Sequence, residues 1–293
     1  MSEATPAQPV LVLDFGAQYV QLIVRKIREL NVYSEIRPHD TPVETLLAEK
    51  PAGIVLSGGP ASVYEPGAPT VDPRLFAAGI PILGICYGQQ LMSHLMGGTV
   101  EPGTEREYGP ATITVVEPDL LLKDIPAESQ VWMSHGDRVT RVPEGFQALA
   151  ESANAPIAAM GDMRRHLYGV QFHPEVHHTA YGQQVLRNFL YEACKCSGTW
   201  QASNFIEDAV AEIRQTVGDA KVLVALSGGV DSAVAAALVD RAVGNQLTAM
   251  FIDHGLMRKD EAQQVIGVFS EILGDRFVPV EASERFLSKL AGV

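Results

Sequence analysis

Cysteine is scarce in this chain, with three residues in 293, at positions 86, 194 and 196. Three cysteines cannot make a disulfide framework, and Cys194-Lys195-Cys196 lacks zinc-finger spacing. Positive charge is also short: 22 Lys and Arg against 35 Asp and Glu leave a net charge of −13. That balance argues against nucleic acid or an anionic membrane as a partner. No apolar run approaches the ~20 residues of a membrane helix. The opening Met1-Ser2-Glu3-Ala4-Thr5-Pro6 carries no basic segment of a signal peptide. Repeats, low-complexity tracts and a Gly-Lys-[Ser/Thr] phosphate loop are all missing. The expectation is a reduced, cytoplasmic enzyme of two domains.

What is present alternates between short apolar runs and amphipathic stretches. Val10-Leu11-Val12-Leu13, Val32 to Ile36, Gly53 to Leu56 and Ile80 to Ile85 predict strands. Val20, Ile23, Val24 and Ile27 predict one buried face of a helix over 19–30. This pattern implies an α/β fold with a mostly parallel sheet and helices on both faces. Residues 111–172 depart from it, and Thr112–Val116, Gln130–Met133 and Phe146–Ala150 predict an antiparallel insertion. Ser134-His135-Gly136-Asp137 is expected to be a polar turn within that insertion. A helix is expected over 181–194.

The chemistry concentrates at Gly84-Ile85-Cys86-Tyr87-Gly88. An apolar strand running into Gly-x-Cys-x-Gly, with a helix directly after it, predicts a nucleophile elbow. The glycines leave room for backbone to crowd the turn. Backbone N–H groups at a helix start stabilise anionic sulfur. Further on, Val170-Gln171-Phe172-His173-Pro174-Glu175 sets a histidine and a carboxylate two residues apart. Pro174 pushes His173 towards extended geometry, in which residues i and i+2 share a face. His173 and Glu175 then suit a base and the group that orients it. The same proline argues against a helix that would place His173 and His177 on one zinc ion, and His177 and His178 are expected to be exposed.

Gly84-Ile85-Cys86-Tyr87-Gly88-Gln89-Gln90 together with His173-Pro174-Glu175 resembles the class I (triad) glutamine amidotransferases, over about the first two thirds of the chain. The resemblance implies a flavodoxin-like amidotransferase domain over residues 1–199. In it Cys86 attacks the side-chain amide of glutamine, giving a glutamyl thioester and ammonia. His173 acts as base and then acid, and Glu175 orients it. Leu56-Ser57-Gly58-Gly59-Pro60 matches the family's oxyanion turn, which implies that Gly58 and Gly59 supply N–H groups. Such donors contribute about 3–4 kcal/mol of barrier lowering. The resemblance also places Gln90, Ser134, His135, Gly136 and Asp137 near the bound glutamine.

A second motif follows Lys221–Leu226, which predicts a buried strand. Ser227-Gly228-Gly229-Val230-Asp231-Ser232 leads from that strand into an alanine-rich helix, a setting that cradles anions. It resembles the pyrophosphatase-type (PP) loop of adenine nucleotide alpha hydrolase-like enzymes, which split ATP between its α and β phosphates. The resemblance implies that Ser227, Gly228, Gly229, Val230 and Ser232 hold pyrophosphate, that Asp231 stands near Mg2+, and that Asp253 belongs to a nucleotide-side loop. Residues 200–293 then form the N-terminal part of an ATP-pyrophosphatase domain, incomplete because three strands are too few to close it.

This order of domains resembles ATP-dependent carbon–nitrogen ligases that aminate xanthosine 5'-monophosphate. It implies glutamine, ATP and that nucleotide as substrates, Mg2+ as cofactor, and a homodimer formed through a C-terminal domain absent here. Two other readings stand beside it. One is a glutaminase serving a different ATP-dependent amidating enzyme, and the other is a non-catalytic module with a vestigial site.

Overall fold

Val10-Leu11-Val12-Leu13 has no polar face, as a strand covered on both sides requires. In the computed structural model it lies in β1 (Val10–Asp14), with all four of those residues fully buried. The structure describes residues 8–292, and the side chains of all of these except 104–106 and 202–205. The opening segment Met1–Pro6 lies outside the described residues. The chain divides into two compact units, Met1–Gln201 and Ala202–Val293.

In the first unit, α1 (Val20–Glu29) turns Val20, Ile23, Val24 and Ile27 inward, following the i, i+3, i+4, i+7 spacing. It is followed by β2 (Ser34–Pro38), α2 (Val43–Ala48), β3 (Gly53–Leu56), β4 (Ile82–Ile85) and α3 (Tyr87–Leu95). Then come β5 (Thr99–Val115), β6 (Glu128–Arg141), β7 (Gln147–Ser152), β8 (Ala159–Asp162), β9 (Leu167–Val170) and α4 (Gly182–Asn188). One nine-stranded sheet runs β2-β1-β3-β4-β9-β8-β7-β5-β6. Its first five strands pair in parallel and the rest antiparallel. The parallel half puts the C-terminal ends of β1, β3, β4 and β9 at one edge, where open α/β sheets carry their ligand sites.

Three expectations are corrected here. Ser134-His135-Gly136-Asp137 is not a turn but the middle of β6. Ser129, Val131, Met133 and His135 are buried alternately along it, so the inward period of two runs into the polar residues as far as His135. Ser134 pairs with Tyr108 and His135 with Glu107, and the register then shifts before Asp137, which pairs with Pro102. The hairpin β8–β9 was not foreseen, because all eight of its residues are buried and show no alternation to read. The helix expected over 181–194 is α only to Asn188 and finishes as a π-helical turn, Phe189–Ala193.

The second unit contains α5 (Ala202–Val217), β10 (Val222–Leu226), α6 (Val230–Val243), β11 (Leu247–Asp253), α7 (Glu261–Leu273), β12 (Phe277–Glu281) and α8 (Ser283–Leu290). Its three parallel strands run β10-β11-β12. The strand expected to be buried over 221–226 is covered on one side only, and Leu223 is 63% exposed. Core residues line the other face, where Leu247, Ala249 and Phe251 of β11 pack with Leu226, Val265 and Phe277. Phe251→Ala removes a fully buried aromatic side chain from that one-sided core. Such truncations cost about 3–5 kcal/mol, so amide hydrogen exchange should accelerate across β10–β12 while β1 and β3 keep their protection. Unchanged exchange in β11 would contradict this account of the core.

Candidate active site

β4 delivers Cys86 into a backbone conformation of φ +51° and ψ −105°, which non-glycine residues rarely adopt. Two glycines hold it there. A Cβ at Gly84 would lie 2.5 Å from the Gly88 carbonyl carbon, and one at Gly88 would lie 2.4 Å from the Leu56 carbonyl oxygen. The first turn of α3 therefore packs directly on β3 and β4 with no side chain between them. The Cys86 N–H donates to the Val170 carbonyl at 2.8 Å, which ties the elbow to β9.

The turn after β3 is fixed from beneath. The buried Ser57 hydroxyl accepts from the Phe15 N–H at 3.0 Å and donates to the Gly58 carbonyl at 2.8 Å. Gly58 then lies against both reactive side chains: a Cβ there would come within 3.4 Å of His173 Cε1 and 3.8 Å of Cys86 Cβ. At Gly59 a Cβ would meet the Phe15 carbonyl oxygen at 2.7 Å. Gly59 therefore needs bare backbone, whereas a Cβ at Gly58 would make only ordinary contacts and the glycine there leaves the approach to the reactive side chains open. The Tyr87 N–H, at the unsatisfied start of α3, is a backbone donor at the elbow.

His173 and Glu175 meet, though by a different route from the extended one expected. The chain turns at Pro174-Glu175, and His173 Nδ1 lies 2.7 Å from Glu175 Oε1. His173 is 5% exposed and Glu175 1%. The His173 N–H donates to the Trp132 carbonyl at 3.0 Å, and Thr179 Oγ1 donates to the His173 carbonyl at 2.6 Å. With Nδ1 engaged, Nε2 is left for the Cys86 thiol. Burial disfavours the charged ring, but hydrogen bonding to Cys86 and to Glu175 outweighs it and raises His173 to about 10. His177 and His178 are exposed, as expected.

A cavity of about 810 Å³ opens over these groups. Every expected glutamine-side residue borders it: Gly58, Gly59, Gln90 and the β6 segment Ser134, His135, Gly136 and Asp137, with Cys86 and His173 at its base. Glu175 stands behind His173 and does not border it. The sequence reading missed several members of the site. Gln171 Nε2 lies 3.6 Å from Cys86 Sγ, and its Oε1 accepts from Gln90 Nε2 at 3.1 Å. Gln90 also donates to the Asp137 carbonyl at 2.8 Å. His135 is held by Glu107 Oε2 at 3.0 Å, and Tyr64 donates to Asp137 Oδ1 at 2.7 Å. A glutamine inside the apolar run before His173 was the visible signal for Gln171. Glu107 and Tyr64 gave none.

In the second unit, the loop between β10 and α6 folds on itself. Ser232 Oγ accepts from the Ser227 N–H at 3.1 Å and donates to the Gly229 carbonyl at 3.0 Å. Gly228 takes φ +84°, and the loop opens onto the N-terminus of α6, with Asp231 in its first turn. Asp253 ends β11 and accepts from the Gly255 N–H at 2.9 Å. Among the described residues no cluster of three or more His, Cys, Asp or Glu side chains could hold a metal on its own.

An α/β protein that presents a thiol at a strained elbow, beside an imidazole already oriented by a carboxylate, is built for acyl transfer through sulfur. A family model described as class-I glutamine amidotransferase matches residues 11–193, and one described as NAD synthase matches residues 201–288. The chain belongs to the class I glutamine amidotransferase family. Glutamine-hydrolysing GMP synthases of Thermobifida fusca, Syntrophomonas wolfei and Bifidobacterium longum are 56%, 54% and 54% identical to it. The matches cover 97%, 98% and 97% of this chain and 54%, 56% and 53% of those proteins. The chain thus spans about half the length of the curated relatives it matches. A solved structure from Thermoplasma acidophilum, assigned as one GMP synthase subunit, is 29% identical with a TM-score of 0.59. That match covers 70% of this chain and all of the other. A Thermotoga maritima glutamine amidotransferase, 21% identical with a TM-score of 0.50 over 65% of this chain and 84% of its own, shares the fold.

The raised His173 pKa predicts a stability window. The protonated ring stabilises the folded chain fully below its ordinary value of 6.5, and that contribution is lost as pH rises through about 10. Urea midpoints of the wild type and His173→Gln should differ most at the acidic end of this window and converge towards its alkaline end. A constant offset would contradict the assignment.

Proposed function

We propose that the first unit hydrolyses glutamine to glutamate and ammonia, and that the second unit carries part of the ATP site of a GMP synthase. The arrangement of Cys86, His173 and Glu175 over one cavity carries the first half of this reading. Anionic sulfur of Cys86 attacks the amide carbon of glutamine. N–H groups of Gly58, Gly59 and Tyr87 face the oxygen that becomes negative. The His173 imidazolium gives its proton to the departing nitrogen, which leaves as ammonia and a thioester. His173 then takes a proton from water, and the resulting hydroxide releases glutamate. Glu175 keeps the ring in one orientation throughout and balances its charge. Gln90 and Ser134–Asp137 hold the amino-acid end of the substrate.

The relatives' names and the loop before α6 support the second half. Ser227, Gly228, Gly229, Val230 and Ser232 would hold the pyrophosphate of ATP at the helix N-terminus, with Asp253 on the nucleotide side. Asp231, in the first turn of that helix, would suit a magnesium ion that takes most of its ligands from phosphate and water. Bound there, the ion would supply charge neutralisation on the leaving pyrophosphate. ATP adenylates the 2-oxygen of xanthosine 5'-monophosphate, and ammonia displaces AMP to give GMP. A cytoplasmic homodimer belongs to the same reading, and the xanthosine monophosphate contacts are unassigned on this chain. The intact triad geometry speaks against a vestigial module, and matches that run through both units speak against a different acceptor.

Cys86→Ala should lower ammonia release from glutamine by about three orders of magnitude or more; turnover close to wild type would remove Cys86 from the mechanism. In a chain of the relatives' full length, pyrophosphate release from ATP should require xanthosine 5'-monophosphate and be lost in Asp231→Ala. Release that ignores the nucleotide would refute the acceptor.

A further inference from the structure

Cys194 and Cys196 lie away from the cavity over Cys86 and take no part in the chemistry described for it. We propose that they form a vicinal dithiol that a peroxide oxidises reversibly to an intramolecular disulfide. Lys195 between them takes φ +56°, a left-handed conformation that non-glycine residues seldom adopt. In a helical turn of either hand, Cα atoms two residues apart are about 5.4 Å apart. That lies within the range of about 4.4 to about 6.8 Å found for disulfides. Both cysteines border the same small pocket.

Their surroundings hold them in place. The Cys194 N–H donates to the Phe189 carbonyl at 2.9 Å and the Cys196 N–H to the Leu190 carbonyl at 3.0 Å, so both are fixed to the π-helical turn. Cys194 Sγ rests against bare backbone, since a Cβ at Gly53 would lie 2.4 Å from it. A pocket of about 180 Å³ opens beside the pair, bordered by Tyr33, Ala52, Gly198 and Trp200. Cys194 is buried and Cys196 partly exposed, so a water-sized oxidant reaches Cys196 first.

The two sulfurs are also unequal in charge preference. The hydrogen bond from Cys194 lowers the Cys196 pKa, whereas burial raises that of Cys194. Anionic Cys196 sulfur attacks one oxygen of the peroxide, breaking the O–O bond to give a sulfenic acid and hydroxide. The Cys194 thiol then attacks that sulfur, forming the S–S bond and releasing water. Two sulfurs lose two electrons in all, and the peroxide gains them.

The test uses the Cys86→Ala chain, in which these two thiols alone remain. Hydrogen peroxide should remove both from a thiol titration while the mass of the monomer falls by that of two hydrogens. Dithiothreitol should restore both. In Cys86→Ala with Cys194→Ser, dimedone should label Cys196, and in Cys86→Ala with Cys196→Ser the same dose should leave Cys194 free. Two unreacted thiols, a disulfide between chains, or equal reactivity of Cys194 and Cys196 taken singly would overturn the proposal.

Discussion

The close approach of Gly88 to the Leu56 carbonyl is the constraint on which the site rests. A side chain there would push the first turn of α3 away from β3, and Cys86 could no longer keep its positive φ. The strain at Cys86 is thus held by packing of the parallel sheet beneath it, where β1, β3, β4 and β9 are buried on both faces. Because the elbow also hydrogen-bonds to Val170 on β9, the strand that leads to His173 is registered to the nucleophile by the same backbone.

Burial sets the electrostatics. His173 and Glu175 are almost fully removed from water, so their interaction is weakly screened and the ring stays protonated despite the cost of desolvation. A protonated imidazole beside Cys86 sets a positive charge and a proton donor in the site before any substrate arrives. The environment therefore provides much of what the reaction would otherwise have to arrange at the moment of attack.

Much of this was legible in the chain. The glycines around Cys86 follow a local rule that survives folding, whereas His173 and Glu175 meet through a turn at Pro174-Glu175 and not through the extended chain that Pro174 suggested. The parallel half of the sheet was readable because its strands are short apolar runs separated by helical periodicity. The exceptions share one cause: they depend on partners distant in sequence. Ser134–Asp137 looked like a turn because polarity is a local signal, whereas pairing with Glu107 and Tyr108 is not. Gln171 touches Cys86 from 85 positions away.

That the polar residues of β6 sit on a paired strand has a consequence for discrimination. A loop would lose conformational freedom on closing over its ligand and could adjust to several shapes; a strand laddered to β5 does neither. The spacing between the cavity's polar wall and the sulfur is then a fixed ruler. Under the proposed glutaminase reading, a side chain one methylene shorter than glutamine would hold its amide carbon further from Cys86, and selectivity for length would come from the rigidity of a β-ladder rather than from any single contact.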